Sequence, residues 1–162
     1  MKHNIGRITC AWLGLAVFGA GLSPSAQGSG SIVGWGDNGF GQINVPSGTF
    51  TAVAGGEGHS LAIRSDGTLA GWGDNSWGQI IVPAGTFIAV AAGYNHSLAI
   101  RSNGTLAGWG DDTYGETNVP SGTFTAVAAG WHYSLAIRSN GTLAGWGWNY
   151  FRQTDVPAGT FI

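Results

Sequence analysis

The stretch Gly93-Tyr94-Asn95-His96-Ser97-Leu98-Ala99-Ile100-Arg101-Ser102-Asn103-Gly104-Thr105-Leu106-Ala107-Gly108-Trp109-Gly110 reads as a complete β-hairpin. Residues 96–101 and 105–109 are short runs of strand formers and small residues, with Ser102-Asn103-Gly104 between them. Asn-Gly readily supplies the two positive φ angles of a type I′ turn, whose twist suits antiparallel strands, so that turn is expected here. The pattern occurs again at 56–73, with Asp66-Gly67 in the turn, and at 130–147, with Asn140-Gly141.

Gly-Trp-Gly begins at Gly34, Gly71, Gly108 and Gly145, a period of 37 residues with no insertion or deletion. A fixed period of this size marks a propeller, a solenoid or an array. Within one unit, residues 51–55, 59–64, 68–72 and 79–82 read as four strands, the last ended by Pro83. Four short strands are the content of a propeller blade. Leu98 and Ile100 alternate with Ser97 and Ala99, so neither face of that strand is polar, as a sheet covered on both sides requires. The expected fold is an all-β propeller with units at 34–70, 71–107 and 108–144 and a partial unit at 145–162. Residue 31 would open on a lone third strand, and 160–162 would enter a further first strand. The chain then reads either as a fragment of a longer product or as a part that closes a ring with other copies.

The first residues differ in kind. Lys2, His3 and Arg7 precede an apolar run at 8–22, and Ser23, Ser25 and Ala26 follow it. Residues 1–26 read as an export signal with 27–30 as a short linker, which implies a secreted or periplasmic protein that holds no membrane span once the signal is cleaved. Cys10, the single cysteine, lies inside the signal, so disulfides and thiolate metal sites are excluded from the mature chain. Without Lys2 and Arg7, four arginines face eight acids, a net charge near −4, which argues against a nucleic-acid partner.

No catalytic group, cofactor or metal is expected. His59 and His96 share one phase of the repeat, where Tyr133 stands in the third unit, and a hydrogen bond tying a strand to nearby backbone accounts for all three. His59-Ser60 and His96-Ser97 are neighbours on a strand and point to opposite faces, so neither makes a nucleophile and base pair. Asp37-Asn38, Asp74-Asn75 and Asp111-Asp112 lack the alternating oxygens of a calcium loop and suit Asx turns. Phe40, Trp77, Tyr114 and Phe151 share a phase that is always aromatic, which packing explains.

Glu57, Tyr94 and Trp131 are more informative, because the units disagree there while their flanks are nearly identical. A constant scaffold with a variable loop is what a recognition surface shows. Strand direction alternates, so this loop and the one around Trp77 emerge on one side. That face collects Glu57, Tyr94, Trp131, His132, Trp77, Tyr114, Trp148 and Tyr150; Trp148 replaces an aspartate and Arg152 a glycine of the other units. Amphipathic aromatics of this kind suit a protein partner; the alternative is a glycan, since Trp and Tyr platforms also stack on pyranose rings.

The runs Val53-Ala54-Gly55-Gly56-Glu57-Gly58-His59-Ser60-Leu61-Ala62-Ile63 and Val90-Ala91-Ala92-Gly93-Tyr94-Asn95-His96-Ser97-Leu98-Ala99-Ile100, with Asp74-Asn75-Ser76-Trp77-Gly78-Gln79, resemble the repeat signature of the regulator of chromosome condensation (RCC1) family. The resemblance covers 31–162, and Gly-Trp-Gly, Val-Pro-Ala-Gly and the export signal are most similar to its secreted bacterial branch, to which β-lactamase inhibitor protein II belongs. It implies a non-catalytic, protein-binding propeller of seven blades, for which roughly 260 residues would be needed at this period.

Overall fold

The structure is a computed structural model that describes residues 30–161; the export signal read at 1–26 and most of the linker at 27–30 lie outside the described residues. The strands are β1 (Phe50–Gly55), β2 (His59–Arg64), β3 (Leu69–Gly73), β4 (Phe87–Ala92), β5 (His96–Arg101), β6 (Leu106–Gly110), β7 (Phe124–Ala129), β8 (Tyr133–Arg138) and β9 (Leu143–Gly147). They form three separate three-stranded antiparallel sheets in the orders β1-β2-β3, β4-β5-β6 and β7-β8-β9. The registers are the same in each sheet: Leu61 faces Gly71, Leu98 faces Gly108 and Leu135 faces Gly145.

The fourth strand expected at 79–82 does not form. Its amides are taken by tight local turns, with Ile81 N donating to Gly78 O (3.0 Å) and Val82 N to Ile80 O (2.9 Å), while the Asn75 side chain accepts from Ile80 N (3.3 Å). The segment still lies against its own sheet. A Cβ on Gly71 would sit 3.0 Å from Ile80 Cβ, which is why the first glycine of Gly-Trp-Gly carries no side chain. The second glycine answers a different need: Gly110 has φ 100°, and a Cβ there would lie 2.5 Å from Asn95 O. Nor do residues 31–35 form a strand. Gly30 makes only an isolated bridge to Phe50, and no sheet ladder runs beside 31–35 among the described residues.

The hairpin turn also differs from expectation. Gly67, Gly104 and Gly141 have φ of 85°, 84° and 84°, but Asp66, Asn103 and Asn140 are not in the left-handed region. Gly104 N donates to Arg101 O (2.8 Å), and Arg101 N to Thr105 O (2.8 Å), a type I turn followed by a glycine bulge. The asparagine is needed for its side chain. Asn103 Oδ1 accepts from both Thr105 N (3.1 Å) and Thr105 Oγ1 (2.7 Å), which holds the turn open by one residue.

The core lies between sheets. Strand β4 covers β2 and β7 covers β5, and the first strands β1, β4 and β7 adjoin one another. Ile63 and Leu69 pack against Phe87, Ala99 and Ala107, and one unit later Ile100 and Leu106 pack against Phe124, Ala136 and Ala144. The Leu-Ala-Ile alternation therefore sets a large face of one unit against a small face of the next. Five consecutive residues of β2 and of β5 are buried as a result.

Candidate functional site

Each boundary between units is fastened at the end of the sheet where the β1–β2 type loops emerge. Gln79 O accepts from Ser97 Oγ (2.8 Å) and from Trp109 Nε1 (2.9 Å), and Glu116 O accepts from Ser134 Oγ (3.1 Å) and Trp146 Nε1 (2.7 Å). The tryptophan of Gly-Trp-Gly thus anchors the preceding unit's loop through its indole N–H. His59 Nε2 meets Ser97 Oγ at 2.9 Å and His96 Nε2 meets Ser134 Oγ at 3.1 Å. The histidines bond to a serine of the next unit, not to nearby backbone as expected. Because each serine hydroxyl donates to a carbonyl, the imidazole N–H donates to the serine. Burial, reinforced by the neighbouring histidine, lowers the pKa of His59 and of His96 to about 4. His59 and Ser97 are fully buried, so the pair is a latch with no route for a substrate.

Above this latch lies the loop face. Tyr94 meets Trp131 edge-on at 5.4 Å, and His132 lies within reach of Tyr94 (5.4 Å), Tyr114 (5.0 Å), Trp131 (5.2 Å) and Trp148 (6.3 Å). Trp148 stacks on Tyr150 with their planes 11° apart, and Phe151 closes against both. The rings form one continuous array across the second unit, the third unit and the loop that follows β9. Six of the eight residues singled out in the sequence stand in it: Tyr94, Tyr114, Trp131, His132, Trp148 and Tyr150. Trp77 joins its margin through Asn95, whose amide, oriented to donate to Tyr94 O, accepts from Trp77 Nε1 at 3.2 Å. Glu57 stands apart, exposed in the first unit's loop with its amide 3.4 Å from Gly93 O.

The phase read as packing is on the surface. Phe40, Trp77, Tyr114 and Phe151 are all exposed. Each of the first three leans on the loop of the next unit: Phe40 covers the face of Gly58, Trp77 bonds Asn95, and Tyr114 rests on His132. Phe151 was missed as a member of the array, because an aromatic in every unit carries no sign of which ones find aromatic neighbours. Arg152 supplies the loop with strain: its φ of 61° lies where Gly41, Gly78 and Gly115 stand in the other units.

The model of the regulator of chromosome condensation (RCC1) repeat matches residues 50–79, 87–116 and 124–153. The chain belongs to the RCC1 repeat family. Among solved structures it is similar to the CRINKLY WD40 ectodomain of the receptor kinase ACR4 from Arabidopsis thaliana, at 25% identity and a TM-score of 0.63, covering 70% of this chain and 42% of that one. It is also similar to Prp20p from Saccharomyces cerevisiae, at 21% identity and a TM-score of 0.67, covering 78% and 43%. Yeast RCC1 (Prp20) bound to Kap60 matches at 23% identity with a TM-score of 0.60, over 70% and 38%. The chain thus spans less than half of these proteins' length. None of the curated proteins matches it.

As RCC1 repeats, the three sheets correspond to part of a propeller. The loop face varies most at the boundary between the second and third repeats. Glu116 Oε2 accepts from Tyr114 N (2.8 Å), as Gln79 Oε1 does from Trp77 N (2.9 Å). Its other oxygen lies 3.1 Å from His132 Nδ1, and one ligand atom each of Asp111, Glu116 and His132 falls within 4.8 Å of the others. Glu116 drew no attention in the sequence, since it matches the glutamine of the other units in size, and Asp111 was read only as an Asx turn, which its bond from Thr113 N bears out; the two join His132 only across the boundary.

Proposed function

We propose that this chain is a secreted, non-catalytic protein-binding module of RCC1 repeats, and that its partner docks on the aromatic loop face. The observation that carries the reading is the continuous array from Trp131 to Phe151, with Trp131, Tyr114, Tyr150 and Phe151 each about half exposed or more. Rigid amphipathic rings that are already in mutual contact lose little freedom on binding, which makes them good anchors. Prp20p was described with its binding to Gsp1p and histones, and yeast RCC1 with Kap60, so proteins are the partners of these relatives. Export rests on the pattern of residues 1–26, and membership of the secreted bacterial branch on that pattern with Gly-Trp-Gly and Val-Pro-Ala-Gly.

The test is affinity capture from the culture medium of the source organism, followed by titration of the captured protein. Tyr94→Ala with Trp131→Ala should weaken binding at least tenfold while the circular dichroism stays that of the parent. Undiminished binding sinks the reading. The second reading, a glycan-binding face, is favoured by the near-parallel Trp148 and Tyr150 rings, a platform on which a pyranose can stack. Glycan-array binding that needs Trp148, with no protein captured, would establish it.

A further inference from the structure

At the two preceding positions of the same phase, Gln42 and Gln79, a glutamine amide fills the space beneath the loop. Gln42 Nε2 donates to Asp37 Oδ2 (3.0 Å), and Gln79 Nε2 to Asp74 Oδ2 (2.9 Å). Glu116 replaces that amide and removes the donor, so two carboxylates now face each other where an amide and a carboxylate did. Glu116 is fully buried and Asp111 is 6% exposed. Asp111 Oδ1 takes both Thr113 donors (3.0 Å from N, 2.5 Å from Oγ1), and its other oxygen receives no hydrogen bond among the described residues. Among the described residues no arginine pairs with either carboxylate; Arg64, Arg101 and Arg138 bond the carbonyls of Ser47, Ala84 and Ser121. In the same unit boundary, and nowhere else in the repeat, the position of Gly58 and Asn95 is a histidine, His132, whose Nδ1 points at Glu116.

We propose that Asp111, Glu116 and His132 bind a divalent transition-metal cation, with zinc the best match. Two carboxylate oxygens and one imidazole nitrogen form a borderline donor set suited to such ions. A charge of two balances the two carboxylates. The three donor atoms already lie within 4.8 Å of one another, and tetrahedral zinc asks for separations of about 3.4 Å, a contraction of side-chain rotations only. His132 is 19% exposed, so the site opens to solvent between the rings of Tyr114, Trp131 and Trp148. The ion would pin the second repeat to the third and fix the imidazole at the hub of the aromatic array. This site stands independently of what docks on the face.

The sister loops supply the controls. Glu116→Gln recreates the amide of Gln79, and His132→Asn recreates Asn95, so both variants have a precedent for folding within this chain. Calorimetric titration of the full chain with zinc chloride should show one ion per chain, and either substitution should weaken uptake at least tenfold. Cobalt(II) should give visible d–d absorption and quench tryptophan fluorescence, both lost in Glu116→Gln. Absence of saturable zinc uptake by the parent overturns the proposal, and the triad is then a carboxylate and imidazole pair without an ion. Uptake that survives both substitutions overturns it too, since the metal then sits elsewhere.

Discussion

The boundary between the first and second repeats and that between the second and third share one interior and differ at the rim. Inside, His59 with Ser97 and His96 with Ser134 repeat the same latch, and Ile63 against Ala99 repeats as Ile100 against Ala136. At the rim, Trp77 with Asn95 and Asp74 with Gln79 become Tyr114 with His132 and Asp111 with Glu116. The interior is close-packed and each contact is shared by two repeats, so a change on one side needs a matching change on the other. At the rim the outer rings of Trp77 and Tyr114 meet water, while Gln79 and Glu116 lie buried beneath them without packing into the apolar core between the sheets. Specific chemistry accumulates there because the rim does not carry the fold.

Acid should break both interiors together. A histidine with a folded pKa of about 4 and an unfolded value near 6.5 leaves the unfolded chain holding more protons between those pH values, so stability is full above pH 6.5 and falls as pH drops toward 4. Each latch should lose about 3 kcal/mol over that window. Urea unfolding at pH 7 and at pH 4.5 measures it; equal midpoints would show that the histidines are not buried as neutral imidazoles.

Next in size is the contrast of two leucines at one phase. Leu98 is fully buried between repeats, while Leu135 is only half-buried. Leu98→Ala should cost roughly 2–5 kcal/mol, as core truncations do, and Leu135→Ala distinctly less. Equal losses in thermal unfolding would mean that the second boundary does not owe its stability to coverage by β7.

The smallest effect lies at the rim and has the opposite sign. Arg152→Gly relieves a left-handed backbone and should stabilise by about 1 kcal/mol. A destabilised variant would show that the arginine side chain makes up for the strain through its neighbours Tyr150 and Phe151.

How much of this was legible in the chain varies with distance. Gly-Trp-Gly at a period of 37 residues and the bare hydrophobicity of both hairpin faces carried the repeat, the hairpins and the stacked sheets. Turn type was misread because Asp66, Asn103 and Asn140 act through side-chain oxygens and not through a positive φ. The strand at 79–82 was misread because apolar residues before a proline look alike in a strand and in a chain of tight turns.

By itself, the sequence determined which residues repeat, which loops vary and that Tyr94, Trp131 and Trp148 belong to one face, since strand alternation alone assigns a loop to a side. Only the tertiary structure decided who meets whom across a boundary. His59 finds Ser97, Trp109 finds the Gln79 carbonyl, and Asp111 and Glu116 find His132, each from a different repeat. The reason is physical: a repeat cannot bury its own faces, so its polar groups are satisfied by a neighbour whose register is set by packing and not by proximity in the chain.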